Sequence, residues 1–167
     1  GLQQFGSVSA IDLPGFGLTP PAGRSTTVEA NRRVLDRYLR LLGQPVTLIG
    51  NSMGGAIALR QAARAPETVS RLVLVSPAAP WDLVVQPPDP LAGAMFAMYA
   101  VPGLAELVMW GRRNAMTPEE IARWVLDLCA AHPERIPRDV FEMHVRMAVQ
   151  RQHIPGIDEA FIRAARS

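Results

Sequence analysis

The sequence predicts an α/β fold built on a parallel sheet. Residues 46–50 (VTLIG) and 71–76 (RLVLVS) are nearly unbroken apolar runs of strand length, as expected of parallel strands covered on both faces. Helical patterns precede each run, with apolar residues recurring at Val28, Leu35, Tyr38, Leu39 and Leu42 in the first. With an earlier apolar run at 8–13, the order is strand, helix, strand, helix, strand, which makes two crossover units.

Residues 8–13 (VSAIDL) read as the first strand, cut off by Pro14-Gly15. A loop rich in proline and glycine follows. Thr26, with Glu29 three residues on, forms a capping box for the first helix, and Gly43 is its stop. After the strand at 46–50, residues 53–65 (MGGAIALRQAARA) form a second helix that Pro66 ends. Beyond Pro77 the character changes. Residues 80–167 show proline-rich connections and helices but no strand pattern. Thr117-Pro118-Glu119-Glu120 is a helix start, and Pro137 opens another helix. Two parts are expected: a sheet-bearing core over 1–79 and a helical region over 80–167.

Hydrophobic residues are 49% of the chain and charged residues 19%, enough apolar content to exclude disorder. All 17 basic residues are arginine, and 15 acids are interleaved for a net charge of +2. No basic run exceeds two residues, so nucleic acid is excluded as a partner. The single cysteine, Cys129, excludes an internal disulfide and reads as a small buried residue on a helix. The apolar stretch 91–110 is long enough to span a bilayer, but it carries Pro102, Gly103 and Glu106. It reads as a pair of helices, not a stable membrane insertion. No signal peptide is visible, which gives a cytoplasmic expectation, although the chain opens in mid-pattern.

The chemistry lies in Gly50-Asn51-Ser52-Met53-Gly54-Gly55, a G-x-S-x-G sequence set between a predicted strand and a predicted helix. That placement puts Ser52 on a sharp turn. Gly50 and Gly54 are expected to keep side chains out of the strand–helix contact. The helix start directs N–H groups and positive dipole at a developing oxyanion, with the Met53 N–H as donor. A phosphate cradle is excluded, because neither the P-loop lysine nor the G-x-G-x-x-G spacing is present.

These residues resemble the α/β-hydrolase superfamily, in its serine-nucleophile branch with a helical cap. Asp12-Leu13-Pro14-Gly15-Phe16-Gly17 resembles the D-x-P-G-x-G turn after an early core strand. Gly50 to Gly55 resembles the nucleophile elbow, and residues 71–77 the next core strand. The wording G-N-S-M-G-G is similar to carboxylesterases and to hydrolases that cleave C–C bonds. Serine at position 52 argues against the epoxide hydrolase and dehalogenase relatives, which use aspartate.

The resemblance implies a triad in the order Ser, Asp or Glu, His, and a second oxyanion donor from a loop before residue 8. Neither the later strands nor that loop is found, so the family pattern is expected to continue beyond both ends. His132, His144 and His153 read as surface or packing residues and Asp12 as a turn residue. Asp82 and Asp89 follow the strand at 71–76 but lie in a proline-rich stretch. No metal-ligand spacing is present and no cofactor is implied. The expected function is a serine hydrolase of small apolar esters or related carbonyl compounds, with acid and base outside this chain. The stretch 91–110 would line the substrate pocket. The alternatives are a cofactor-free perhydrolase or acyltransferase using Ser52, and a non-catalytic binding protein.

Overall fold

The first helix, α1 (Val28–Leu42), begins one residue later than its capping signal predicts. Thr27 is the cap, and its hydroxyl accepts the Ala30 N–H at 3.2 Å. The reason is a competing tertiary bond: the buried Thr26 hydroxyl donates to the Ala160 carbonyl at 3.0 Å. Glu29 does not fold back on the cap. It pairs with Arg32 at 3.0 Å and Arg33 at 3.3 Å. Gly43 ends the helix at φ 69°, as predicted.

This computed structural model describes residues 2–78 and 90–167. The division placed near residue 79, and Asp82 and Asp89, lie outside the described residues. Strand β1 (Val46–Asn51), helix α2 (Met53–Arg64) and strand β2 (Val69–Val75) form one crossover unit. The strands run parallel, with Leu48 opposite Leu72 and Asn51 opposite Val75. Apolar side chains of α1 (Val28, Leu35, Leu39) and Ile57 of α2 make the core, against which Val46 and Leu48 pack. Side chains alternate along a strand, so Ile49 points away from this cluster and is 49% exposed. Val75 of β2 is 47% exposed. The expectation of strands covered on both faces is therefore met on one face only.

The strand predicted over 8–13 does not form. Among the described residues the sheet holds β1 and β2 alone. Residues 8–12 are exposed and make no ladder. A strand's backbone groups need a neighbouring strand, and neither β1 nor β2 takes these residues as a partner.

Five helices follow: α3 (Pro90–Ala100), α4 (Leu104–Ala115), α5 (Pro118–Cys129), α6 (Arg138–Arg151) and α7 (Ile157–Ala165). No strand occurs among the described residues of 90–167. The stretch 91–110 is a helix pair broken before Gly103, and none of the described helices is long and apolar enough to cross a membrane. The capping box at α5 forms as predicted: Glu120 N–H donates to Thr117 Oγ1, and Thr117 N–H to the Glu120 carboxylate. Cys129 closes α5 and is exposed, contrary to the buried role expected of it.

A second core joins α3, α4 and α7 through Tyr99, Ala105, Met109 and Ile162. Helix α7 ties this half to the first. A Cβ on Gly15 would stand 2.5 Å from that of Ala160, so the Pro-Gly turn and α7 meet at backbone distance. The Val28 N–H donates to Ser167 Oγ at 2.9 Å, closing the same contact.

Gln61 is fully buried and joins α1 to α2 and the turn before β2. Its amide donates to Asp36 at 2.9 Å and Thr68 at 3.1 Å, and its carbonyl accepts from Arg32 at 2.9 Å. Gln61→Leu strips buried groups of partners and should destabilise the protein by about 1–3 kcal/mol. The measurement is the urea midpoint at unchanged slope. Glu29 gives a pH prediction. Its hydrogen bond from Arg32 lowers its pKa from 4.5 to about 2. A lowered folded pKa contributes stability above pH 4.5 that is lost as pH falls toward about 2. Glu29→Gln should therefore be less stable than the parent at pH 6, with the gap narrowing toward pH 2 in unfolding curves across that range.

Candidate active site

Ser52 is the single residue between β1 and α2. Its backbone lies at φ 50°, ψ −122°, a region that L side chains avoid. Hydrogen bonds on every side hold it there. The Ser52 N–H donates to Val75 O at 3.0 Å. The Ser52 carbonyl accepts from Gly55 at 2.9 Å, Ala56 at 3.2 Å and Ala78 at 2.9 Å. Asn51 adds a side-chain donation to Val75 O at 3.2 Å. The parallel register that sets Asn51 beside Val75 thus clamps the turn from β2.

The Ser52 side chain is exposed and forms no cap on α2. Among the described residues the Met53 N–H has no acceptor. A helix start leaves such N–H groups open, carrying partial positive charge. The arrangement presents a hydroxyl and an open N–H donor side by side on the same turn.

The glycines divide the work differently from the sequence reading. A Cβ on Gly50 would stand 2.5 Å from the Gly54 carbonyl oxygen, so Gly50 is required by backbone approach. A Cβ on Gly55 would meet that of Pro77 at 2.8 Å. For Gly54, assigned a steric role from the motif, a Cβ would meet no atom of the described residues within 4 Å beyond its own chain neighbours and helix backbone. The contact expected of Gly54 is made by its neighbour, because Gly55 is the buried residue of the first turn of α2 and faces Pro77.

The Pro-Gly turn is a built structure of its own. The Leu18 N–H donates to the Asp12 carboxylate at 2.9 Å, which gives Asp12 the expected turn role. Arg151 of α6 donates to the Gly17 carbonyl at 2.8 Å. The histidines remain apart from Ser52: His132 and His153 are exposed, and the His144 imidazole bonds its own helix at Val140 O, 2.9 Å away. None makes a hydrogen bond to Ser52. No metal-binding group of residues is found among the described ones. A cavity of about 330 Å³ opens among α4 to α7, but no elbow residue lines it. Among the described residues of the stretch 91–110, Met109 is the one that lines it.

A strand–serine–helix turn clamped by the next parallel strand, behind a D-x-P-G-x-G turn, defines a class of fold. The model of the alpha/beta hydrolase family matches residues 2–161, and the chain belongs to that family. It is 41% identical over 76 residues to the lipase LipV of Mycobacterium tuberculosis, covering 45% of this chain and 29% of the lipase. It is 29% identical over 159 residues to the dihydrolipoyllysine-residue acetyltransferase component of the acetoin cleaving system of Pseudomonas putida, covering 95% of this chain and 36% of that protein. Among solved structures, wild-type Cfl2 from Burkholderia cenocepacia superposes with a TM-score of 0.70 at 24% identity, over 93% of this chain and 52% of that one. The chain thus spans about a third of the length of these curated relatives.

Two glycine substitutions separate the elbow's requirements. Gly50→Ala forces the strand away from the Gly54 carbonyl and should cost about 2–3 kcal/mol, as overpacking does. Gly54→Ala sits in a helix with room for a methyl and should be neutral or stabilise by about 0.5–1 kcal/mol. Thermal unfolding of both variants measures the contrast.

Proposed function

We propose that Ser52 is the nucleophile of a serine hydrolase acting on esters or related carbonyl compounds, and that the helical half is its cap. The observation that carries this is the Ser52 backbone, held at positive φ by four main-chain hydrogen bonds with its hydroxyl uncapped. Stored backbone strain at an exposed hydroxyl is a functional signature. In this reading Ser52 Oγ attacks the substrate carbonyl carbon and gives up its proton to a histidine. The tetrahedral oxyanion takes the Met53 N–H and is further stabilised by the positive end of α2. Collapse expels the alcohol and leaves an acyl-serine, which water then cleaves. In the same reading the histidine and its carboxylate partner lie outside this chain; the imidazole of His144 is engaged with its own helix and that of His132 with Glu134.

The lipase among the relatives supports ester hydrolysis. A second reading, transfer of the acyl group to an acceptor other than water, uses the same acyl-serine. It is favoured only by the acetyltransferase component among the relatives.

In the full-length protein, Ser52→Ala should lower ester turnover by several orders of magnitude, on the order of 10⁴-fold or more. A fluorophosphonate probe should label the parent and not the variant. Equal labelling of the two proteins would remove Ser52 from the nucleophile's role.

A further inference from the structure

The cavity among α4, α5, α6 and α7 has the composition of a ligand site. Its volume, about 330 Å³, is at the small end of the range for small-molecule pockets. Its walls are largely apolar, with Met109, Ile121, Val125, Met147, Ile157 and Phe161 contributing. Among the described residues, three arginines line it (Arg112, Arg113 and Arg151) against one carboxylate, Asp158.

The three cations differ in what they already hold. Arg113 is occupied: it pairs with Asp158 at 3.5 Å and donates to the Gln152 carbonyl at 3.3 Å. The Arg112 guanidinium forms no hydrogen bond and no ion pair among the described residues. Its guanidinium lies 5.7 Å from the Trp124 ring centroid. Arg151 spends one donor on the Gly17 carbonyl at 2.8 Å and has no carboxylate partner among the described residues. His144 offers no negative charge, and its Nδ1 is engaged with Val140 O.

A guanidinium carries five donors and cannot discharge itself. Neither guanidinium has a buried nitrogen without a partner, so the donors they have left are open to the cavity and its solvent. Burial lowers the Arg151 pKa, which the charges of Asp158 and Asp12 counter in part, and the like charge of Arg112 lowers it further. An anion between the two would relieve both effects. A carboxylate matches the planar fork of a guanidinium with two parallel hydrogen bonds. The apolar walls select the rest of the molecule.

We propose that this cavity binds a small apolar carboxylate, its chain among Met109, Ile121 and Val125 and its carboxylate on Arg112 and Arg151. The site does not depend on Ser52, because no elbow residue lines it, and it stands or falls separately from the hydrolase reading.

Calorimetric titration tests it with two probes of equal size: octanoate and its neutral analogue octanamide. Octanoate should bind at least about tenfold more tightly, the margin of a charge-assisted pair over a neutral one. Arg112→Gln should remove that margin and leave octanamide binding as it was. Arg146→Gln, an exposed change on α6 outside the cavity lining, should alter neither. Arg151→Gln, checked for an unchanged melting temperature, should act as Arg112→Gln does. Equal affinity for the two probes in the parent overturns the proposal. So does an unchanged preference in Arg112→Gln, or no octanoate binding at millimolar concentration. Inorganic phosphate binding as tightly as octanoate overturns the apolar part of the assignment.

Discussion

The backbone of Ser52 is the constraint around which the first half is arranged. A positive φ at a serine costs on the order of 1–3 kcal/mol, and the surroundings must over-determine it. They do so from three directions. Strand β2 supplies the Val75 carbonyl and, past its end, the Ala78 N–H. The first turn of α2 supplies the Gly55 and Ala56 N–H groups. Gly50 lets the helix start come within backbone distance of β1. The contributions of Val75 and Ala78 require the parallel pairing of β1 and β2, so the short sheet braces the turn from one side while α2 holds it from the other. Ser76, also at positive φ (41°), marks where β2 turns to put Ala78 against Ser52.

What was legible in the sequence was what local chemistry decides. The runs VTLIG and RLVLVS became strands, and the helix stops at Gly43 and Pro66 held within a residue or two. The Thr117–Glu120 box formed as written, because nothing distant competes for either side chain. Where a distant group competes, local reading fell short. Thr26 gave up its capping role to bond Ala160, 134 residues away. Residues 8–13 have strand composition, but no neighbouring strand pairs with them. At the elbow, the motif pointed to Gly54, while the packing demand fell on Gly55, because only the fold reveals where Pro77 lies.

The arginines show the same limit for sites. With no lysine in the chain, the 17 basic residues are all arginine and look alike in the sequence. Folding makes them unlike. Arg32 ends in a carboxylate pair within α1, and Arg166 clamps Tyr99 and Val101 carbonyls and Glu106. Arg112 and Arg151, from different helices, meet at one cavity. No spacing rule links positions 112 and 151, so that juxtaposition had no signal along the chain.

The seam between α7 and the Pro-Gly turn has a consequence for how the chain reaches this state. The β1–α2–β2 unit closes contacts between residues close in sequence, which cost little loop entropy. The Thr26–Ala160 and Val28–Ser167 bonds join positions 134 and 139 residues apart. Such closures raise contact order, and their entropic cost must be met before they return any stabilisation. The brace around Ser52 can therefore assemble as a local unit, while the docking of the helical half completes a much larger ring. The two halves are unequal partners in time: one sets the strained turn, and the other is fastened to the start of α1 through the buried hydroxyl of Thr26.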